Sequence, residues 1–196
     1  MSKTTIPTGG LADAAVTTAK ITDANITTAK IADDAVTSAK ATGIGISVCG
    51  QFRITSNQAG DQDPLNAWEE NDDATYARVG SAVTQSSGIF SFPSTGIYLI
   101  IWDVACNSTS GTDKSSAWEI YMTTDNSSYT KIARNTESFS DTYQYKNTNT
   151  SVMVDVTDVS QCKIKFVVSG TNSVVQTNGN STQNQTAVTF LRVGDT

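Results

Sequence analysis

The sequence predicts an all-β protein in which an antiparallel β domain follows an extended, repetitive N-terminal segment. From about residue 43 to residue 196, runs of β-branched and aromatic residues alternate with Gly, Asn, Asp and Ser, the pattern of strands and turns. Residues 11–40 divide instead into six five-residue repeats, a period that fits neither a helix nor a strand. We therefore predict an anchor peptide at 1–10, a repetitive stalk at 11–42 and a β domain at 43–196.

Composition excludes several classes of function. Charged residues make up only 16% of the 196 residues, and a net charge of −6 is unsuited to wrapping a phosphate backbone. No apolar run approaches the roughly 20 residues of a membrane span, and no signal-peptide pattern opens the chain. We expect no nucleic-acid partner, no membrane insertion and no secretion by a signal peptide.

The reactive residues argue against an enzyme. Histidine is absent, which removes the commonest general base and a common metal ligand. The G-x-S-x-G, G-x-x-x-x-G-K-[ST] and H-E-x-x-H motifs do not occur. Cys49, Cys106 and Cys162 are widely spaced and odd in number, so we interpret them as buried free thiols of a chain assembled in a reducing cytoplasm. We expect no catalytic residue, no cofactor and no bound metal.

The repeats are LADAA, VTTAK, ITDAN, ITTAK, IADDA and VTSAK. Each has Asp, Thr or Ser at its third position, whose side chain can bind a downstream backbone amide and form one turn per repeat. One large aliphatic residue in five cannot offset about 1 to 2 kcal/mol of backbone entropy per residue in a single thin chain. We therefore predict a trimeric stalk with an axial core of Leu11, Val16, Ile21, Ile26, Ile31 and Val36.

Two other interpretations of the repeats remain open. A disordered linker rich in Ala and Thr has a similar composition. The second alternative is that the repeats begin a single-chain β-helix, although six repeats would complete too few coils to stack on one another.

The first ten residues, MSKTTIPTGG, are too few and too polar to form a core. We predict that they form an extended peptide that anchors the chain to a particle. Thr4, Thr5, Ile6 and Pro7 would lie in a groove or against a sheet edge, where backbone hydrogen bonds supply affinity and Ile6 fills a pocket.

The predicted strands of the β domain include one run, residues 97–102, that is apolar on both faces. Such a strand must be covered on both sides. One cover is the second sheet of a sandwich, and with no further domain in the sequence the other is a second copy of the chain. The candidate strands are ISVCGQFRIT, RVGSAVTQ, IFSFP, IYLIIWDVAC, SAWEIYMTTD, YTKIARN, TYQYKN, SVMVDV, CKIKFVVSG and AVTFLRV.

The segment SGIFSFPSTGIYLIIWDVAC, residues 87–106, resembles the tumour necrosis factor and complement globular-head superfamily. There an aromatic residue precedes a proline turn, and Gly-aliphatic-Tyr opens a long hydrophobic strand. SVMVDVTDVSQCKIKFVV resembles the late hairpin of that superfamily, and TAVTFLRV resembles its final strand. The residues that match the first pattern are Phe90, Phe92, Pro93, Gly96, Ile97 and Tyr98.

This resemblance implies a ten-stranded jelly-roll β-sandwich that assembles as a tight homotrimer around a threefold axis. Asp103 follows the apolar run with a charge, which marks where the axial face ends or becomes wet. By position, the resemblance places Ile97, Leu99 and Ile101 at the axis and Tyr98, Ile100 and Trp102 inside the sandwich.

The repeats separately resemble those in head and tail fibres of bacteriophages. A trimeric stalk and a trimeric head share one symmetry, so the two resemblances support each other. We therefore expect a homotrimeric virion fibre that is assembled in the host cytoplasm, anchored through its N-terminus to a capsid or tail protein, and directed at a host-surface glycan or receptor. A capsid decoration or cement protein is the alternative, and a secreted cell-surface binding module is weakened by the missing signal peptide.

Two acidic segments are candidate calcium loops. GDQDP at 60–64 and NDD at 71–73 could each gather carboxylates. They lack EF-hand spacing, and one loop rarely supplies six oxygen ligands. Solvated acidic loops explain them equally well.

Aromatic and amide side chains supply the remaining candidates. Tyr143, Tyr145, Tyr129 and Trp118 are possible platforms for sugar rings, with core or cross-strand packing as the commoner role. The Asn- and Gln-rich segment 172–186 is predicted to be a long solvated hairpin connection, with a polar recognition surface as the alternative.

Overall fold

The protein is described here from a computed structural model. Its continuous structure covers residues 45–110, 114–170 and 173–196, together with isolated positions before residue 45. The chain divides into two units, Met1–Thr42 and Gly43–Thr196, each of which is described by itself.

Several predicted N-terminal positions fall outside the described residues. They are the anchor residues Thr4, Thr5, Ile6 and Pro7 and the repeat residues Leu11 and Val16.

The described residues of the first unit include four repeat aliphatics. Two backbone turns lie five residues apart: the amide of Lys30 donates to the carbonyl of Thr27 at 2.9 Å, and that of Ala35 to Ala32 at 3.0 Å. At these two repeats the spacing agrees with one turn per repeat. The aliphatic residues are 41% to 54% exposed in the single chain, and burial by further chains stays a prediction. They are Ile21, Ile26, Ile31 and Val36.

The second unit contains twelve strands among its described residues. Their bounds are Cys49–Ile54 (β1), Gln58–Ala59 (β2), Trp68–Glu70 (β3), Thr84–Ser86 (β4), Ile89–Ser91 (β5), Gly96–Ser108 (β6), Lys114–Thr123 (β7), Thr130–Phe139 (β8), Tyr145–Val156 (β9), Lys163–Ser169 (β10), Val175–Thr177 (β11) and Ala187–Gly194 (β12).

These strands form two antiparallel sheets. The first sheet has the order β2-β11-β6-β12-β1-β3, and β9 pairs with the other side of β6 over almost its whole length. The second sheet has the order β4-β5-β10-β7-β8. The all-β antiparallel prediction is therefore confirmed for this unit.

Aromatic rings fill the space between the sheets. Phe166 on β10 lies 4.8 Å from Trp102, 5.4 Å from Phe90 and 5.4 Å from Trp68, measured between ring centroids. All of the ring contacts around Phe90 and Phe166 are tilted or edge-to-face, an arrangement that aromatic pairs prefer over a face-to-face sandwich. This cluster is the centre of the core.

The doubly apolar strand β6 alternates as its sequence predicts. Tyr98, Ile100 and Trp102 are fully buried inside the sandwich, which confirms that part of the assignment. The intervening odd-numbered residues lie on the opposite face of the first sheet and are half-buried.

Three strands were not predicted from the sequence. β2, β3 and β11 contain only two or three residues each. β11 lies within the segment 172–186, where Val175 and Thr177 are each 1% exposed. The prediction that this whole segment is a solvated connection is therefore wrong, because pairing with β6 and β2 draws part of it into the sheet.

Two other strand predictions need correction. TYQYKN and SVMVDV were predicted as separate strands, but the structure has one strand, β9. Pairing with β6 continues without a register shift through the polar residues between them. RVGSAVTQ yields only the short strand β4 at its end.

The three cysteines are free thiols with different surroundings. Cys106 and Cys162 are buried as predicted, and burial raises the pKa of Cys106 to about 12, which suppresses its reactive thiolate. Cys49 is only half-buried, so the prediction of burial is wrong for it. No helix within the described residues is long and apolar enough to span a membrane.

Candidate functional site

The outer face of the first sheet, which points away from the aromatic core, has an apolar half. Leu99 on β6 lies directly opposite Met153 on β9 and Leu191 on β12. Ile97 and Ile101 flank Leu99 on the same face, and Met153 is 62% exposed. We call Ile97, Leu99, Ile101, Met153 and Leu191 the apolar patch.

The same face turns polar at Asp103, where the sequence predicted that the axial surface ends or becomes wet. Asp103 is exposed and accepts a hydrogen bond of 2.5 Å from the side-chain amide of Asn149, which lies opposite on β9. Further along, Asn107 on β6 lies opposite Tyr145 on β9 and Gln176 on β11. One sheet face therefore carries two chemically distinct halves.

The two halves lie at opposite ends of the second unit. Gly45, where continuous structure begins, leads into β1, and Cys49 there pairs with Leu191 of the apolar patch. Asn107 is eight residues beyond Leu99 on β6, or roughly 26 Å at about 3.3 Å per residue. The polar half is thus at the end remote from Gly45.

A groove of about 430 Å³ opens in the polar half. We call it the amide-lined groove, and none of the described residues that line it is charged. A depression of about 240 Å³ over Asp103 and Asn149 adjoins it and shares Gln185 with it. The lining residues of the groove are Asn57, Asn107, Thr109, Tyr143, Tyr145, Gln176, Asn178, Gly179 and Gln185.

One wall of the groove is fixed by a local hydrogen-bond network. The side-chain oxygen of Asn57 accepts from the amide of Gly179 at 3.0 Å, and its nitrogen donates to Gln176 at 3.4 Å. A Cβ atom at Gly179 would lie 2.5 Å from the carbonyl oxygen of Ser56, so only glycine permits this close approach.

Two other amide side chains of the groove are largely buried. Asn107 lines the groove and is only 6% exposed. Asn178 is 9% exposed and its side-chain oxygen has no hydrogen-bond partner within the described part of the chain. Buried polar groups are ordinarily paired, so the Asn178 oxygen beside the groove indicates a missing partner.

The predicted aromatic platforms fall into three environments. Trp118 is fully buried and its indole nitrogen donates to Thr177 at 2.9 Å, so its role as a platform is wrong. Tyr129 lies beneath the ammonium of Lys165, 4.9 Å from the ring centroid. Tyr143 and Tyr145 are 68% and 73% exposed and both line the groove.

Carboxylates of both acidic segments form ion pairs with cationic side chains. Arg53, whose side chain is fully buried, pairs with Glu69 at 2.8 Å, Asp72 at 2.5 Å and Asp73 at 2.9 Å. The hydrogen bond to Glu69 raises the pKa of Arg53, although burial opposes it. Asp63 of the other segment pairs with Lys165 at 2.5 Å. Within the described residues no cluster of three metal-ligating groups occurs.

We expect Arg53→Met to destabilise the folded unit by about 2 to 3 kcal/mol. The substitution removes a fully buried guanidinium and leaves the carboxylates of Glu69 and Asp73 to repel each other. Because these carboxylates are partly exposed, they regain some water, which limits the loss of stability. Chemical denaturation measures the change. Arg78→Met is the matched control, because the exposed Arg78–Glu70 pair contributes under about 1 kcal/mol. Equal stability of the two variants would contradict a structural role for Arg53.

Comparison with known proteins bears on the fold of this unit. No protein-family model matches the sequence, and no curated protein matches it either. Among solved structures, murine APRIL at pH 5.0 is similar with a TM-score of 0.55 and 12% identity, over 74% of this chain and 98% of that one. Eiger TNF from S. frugiperda has a TM-score of 0.57 and 11% identity, over 76% and 94%.

These likenesses, together with the two antiparallel sheets, decide the fold. The second unit is a tumour necrosis factor-like jelly-roll. At such low identities the likeness shows the fold alone. We refer to Gly43–Thr196 as the TNF-like head, and the resemblance predicted from residues 87–106 is confirmed at the level of the fold.

Proposed function

We propose that this protein is a homotrimeric virion fibre whose TNF-like head is presented for attachment to a host surface. The observation that carries the proposal is the apolar patch. Met153 is 62% exposed at its edge, and Ile97, Leu99 and Ile101 lie only half-buried beside it. Apolar surface rimmed by polar residues is typical of protein–protein interfaces.

A second copy of the same chain is the occupant that best fits the patch. The opposite face of β6 already packs on the second sheet, so that sheet cannot also cover Leu99. Three heads placed around a threefold axis would bring Ile97, Leu99 and Ile101 of each copy together, as the TNF-like resemblance implies. Closed symmetry of this kind also prevents open-ended association.

The N-terminal repeats support the same stoichiometry. Their described aliphatic residues are exposed in one chain, so a shared core would bury surface that a single chain leaves in water. A stalk of three chains would carry a head of three chains without a symmetry mismatch. The likeness of the repeats to bacteriophage fibres supports placement on a virion.

Attachment to the particle is assigned to residues 1–10. Thr4, Thr5, Ile6 and Pro7 would bind a capsid or tail protein as an extended peptide. Three weak peptides on one trimer raise the overall affinity by about 10² to 10⁴-fold when the sites match their spacing.

Deleting residues 2–10 should give a soluble, trimeric protein that no longer joins virions. The head and stalk are retained, so only the peptide contact to the particle is lost. Incorporation is measured by probing purified particles for the protein. Lys3→Ala is the control within the same peptide and should incorporate normally. Normal incorporation of the deleted chain would place the anchor elsewhere and favour a decoration protein that lies on the shell through its head.

A further inference from the structure

We propose that the amide-lined groove binds a neutral carbohydrate. The inference deepens the proposed attachment role and rests on it for biological meaning, although the groove is argued from its own residues. The groove volume of about 430 Å³ lies within the roughly 300 to 1,000 Å³ typical of small-ligand sites.

The hydrogen-bonding groups of the groove suit hydroxyl ligands. Side-chain amides present both donors and acceptors, and each sugar hydroxyl is likewise both. Asn107 is held on strand β6 and lines the groove, and Asn178 has a side-chain oxygen with no hydrogen-bond partner among the described residues. Because both residues are more than nine-tenths buried, they are positioned before a ligand arrives.

The two tyrosines supply the apolar part of the site. Tyr145 begins strand β9 directly opposite Asn107, so its ring and the Asn107 amide share one face of the sheet. Tyr143 lies two residues earlier with a left-handed backbone, φ 56°, which is uncommon for a bulky residue and sets its direction. Aromatic rings pack against the C–H face of a pyranose while amides bind its hydroxyls.

The charge distribution selects a neutral sugar. Every lining residue that the structure describes is uncharged, and the protein as a whole carries a net charge of −6. Asp103, at the edge of the adjoining depression, adds a negative potential nearby. Among these described residues a sialylated, sulfated or phosphorylated glycan would therefore meet no cationic partner and an unfavourable field.

The groove is separated from the apolar patch. The hydrogen-bonded pair Asp103–Asn149 lies between them on the same face. A trimer packed through Leu99 and Ile101 would therefore leave the amide-lined half wet at the end remote from Gly45. Three equivalent grooves would then face one direction, and weak individual binding would gain from multivalency.

Calorimetric titration of the full chain with neutral trisaccharides of glucose, mannose, galactose or N-acetylglucosamine tests the inference, with sialyllactose as the anionic comparison. At least one neutral trisaccharide should bind, and sialyllactose should not bind better. Tyr145→Ala and Asn107→Leu should each weaken that binding at least about tenfold, or about 1.4 kcal/mol. Tyr129→Ala removes a tyrosine outside the groove and should leave the affinity unchanged.

Four results would overturn the inference. The first is that no neutral trisaccharide binds at concentrations up to about 10 mM, a range that includes weak affinities. The second is that the protein binds sialyllactose more tightly than any neutral trisaccharide. The third is that Tyr145→Ala binds sugar as well as the wild-type chain, and the fourth is that Tyr145→Ala has a changed oligomeric mass. The last would identify the groove as an interface between copies.

If the chain still joins virions while no sugar binds, the groove assignment fails and the fibre assignment stands. If sugar binds to a chain that is absent from virions, the fibre assignment fails and the groove assignment stands.

Discussion

Leu99→Asp is expected to convert the proposed trimer into folded monomers. Leu99 is at the centre of the apolar patch, between Met153 and Leu191. At a threefold axis the substitution would place three unpaired carboxylates in a desolvated space, at about 3 to 5 kcal/mol for each uncompensated buried charge. In a single chain the same position borders solvent, so the head should keep its fold. Light scattering gives the mass, and circular dichroism reports the fold.

The loss of the trimer should depend on where the new carboxylate is placed. Val159→Asp introduces the same carboxylate on an exposed turn, where Val159 is 37% exposed, and should leave the mass unchanged. Met153→Asp, at the edge of the patch, should weaken assembly less than Leu99→Asp because a rim charge keeps more of its water. A wild-type chain that is a stable monomer at micromolar concentration would contradict the axial assignment.

The division of one sheet face into two halves links assembly to recognition. The alternation of β6 puts Leu99, Ile101, Asp103 and Asn107 on the same face in that order. Association through the apolar half buries surface that water solvates poorly, and the polar half remains accessible to a polar ligand. Because β1 begins beside the apolar half, the polar half lies at the far end of the head.

The fold could be predicted where local pattern and burial agree. Strand β6 was found because an uninterrupted apolar run needs cover on both faces, and its inward residues Tyr98, Ile100 and Trp102 are the ones buried. The short strand β3 could not be found, since three residues carry no period and Trp68–Glu70 is specified by its register with β1.

Strand β9 shows how pairing overrides local preference. Its middle, from Asn147 to Ser151, has the composition of a turn, and the sequence therefore suggested two strands. In the structure every one of these residues pairs with β6. β propensity depends on the neighbouring strand, which a single sequence does not reveal.

The groove was only partly visible in the sequence. Tyr143, Tyr145 and the amide-rich segment 172–186 were candidates because of their residue types. Asn57 and Asn107 were missed, since they come from strand ends far apart in the chain and only the sheet register brings them together. No local motif carries that information.

Phe166→Ala should destabilise the TNF-like head by about 3 to 5 kcal/mol, the range for truncating a buried phenylalanine. Phe166 is fully buried and contacts rings from both sheets, including Trp102 at 4.8 Å and Phe90 at 5.4 Å. The cavity would lie where the two sheets meet, so little collapse can fill it. For a domain of this size the melting temperature should fall by roughly 6 to 20 °C. Thermal denaturation followed by circular dichroism measures the shift.

Tyr145→Ala is the matched control for this prediction, because it removes an aromatic ring that is 73% exposed. Its stability should change by less than about 0.5 kcal/mol, as is usual for surface positions. Phe166→Leu retains most of the buried volume and should fall between the two. Since assembly makes the melting temperature depend on concentration, all three chains are compared at one protein concentration. If Phe166→Ala melts no lower than Tyr145→Ala, the aromatic cluster does not hold the two sheets together, and the packing described for the head is wrong.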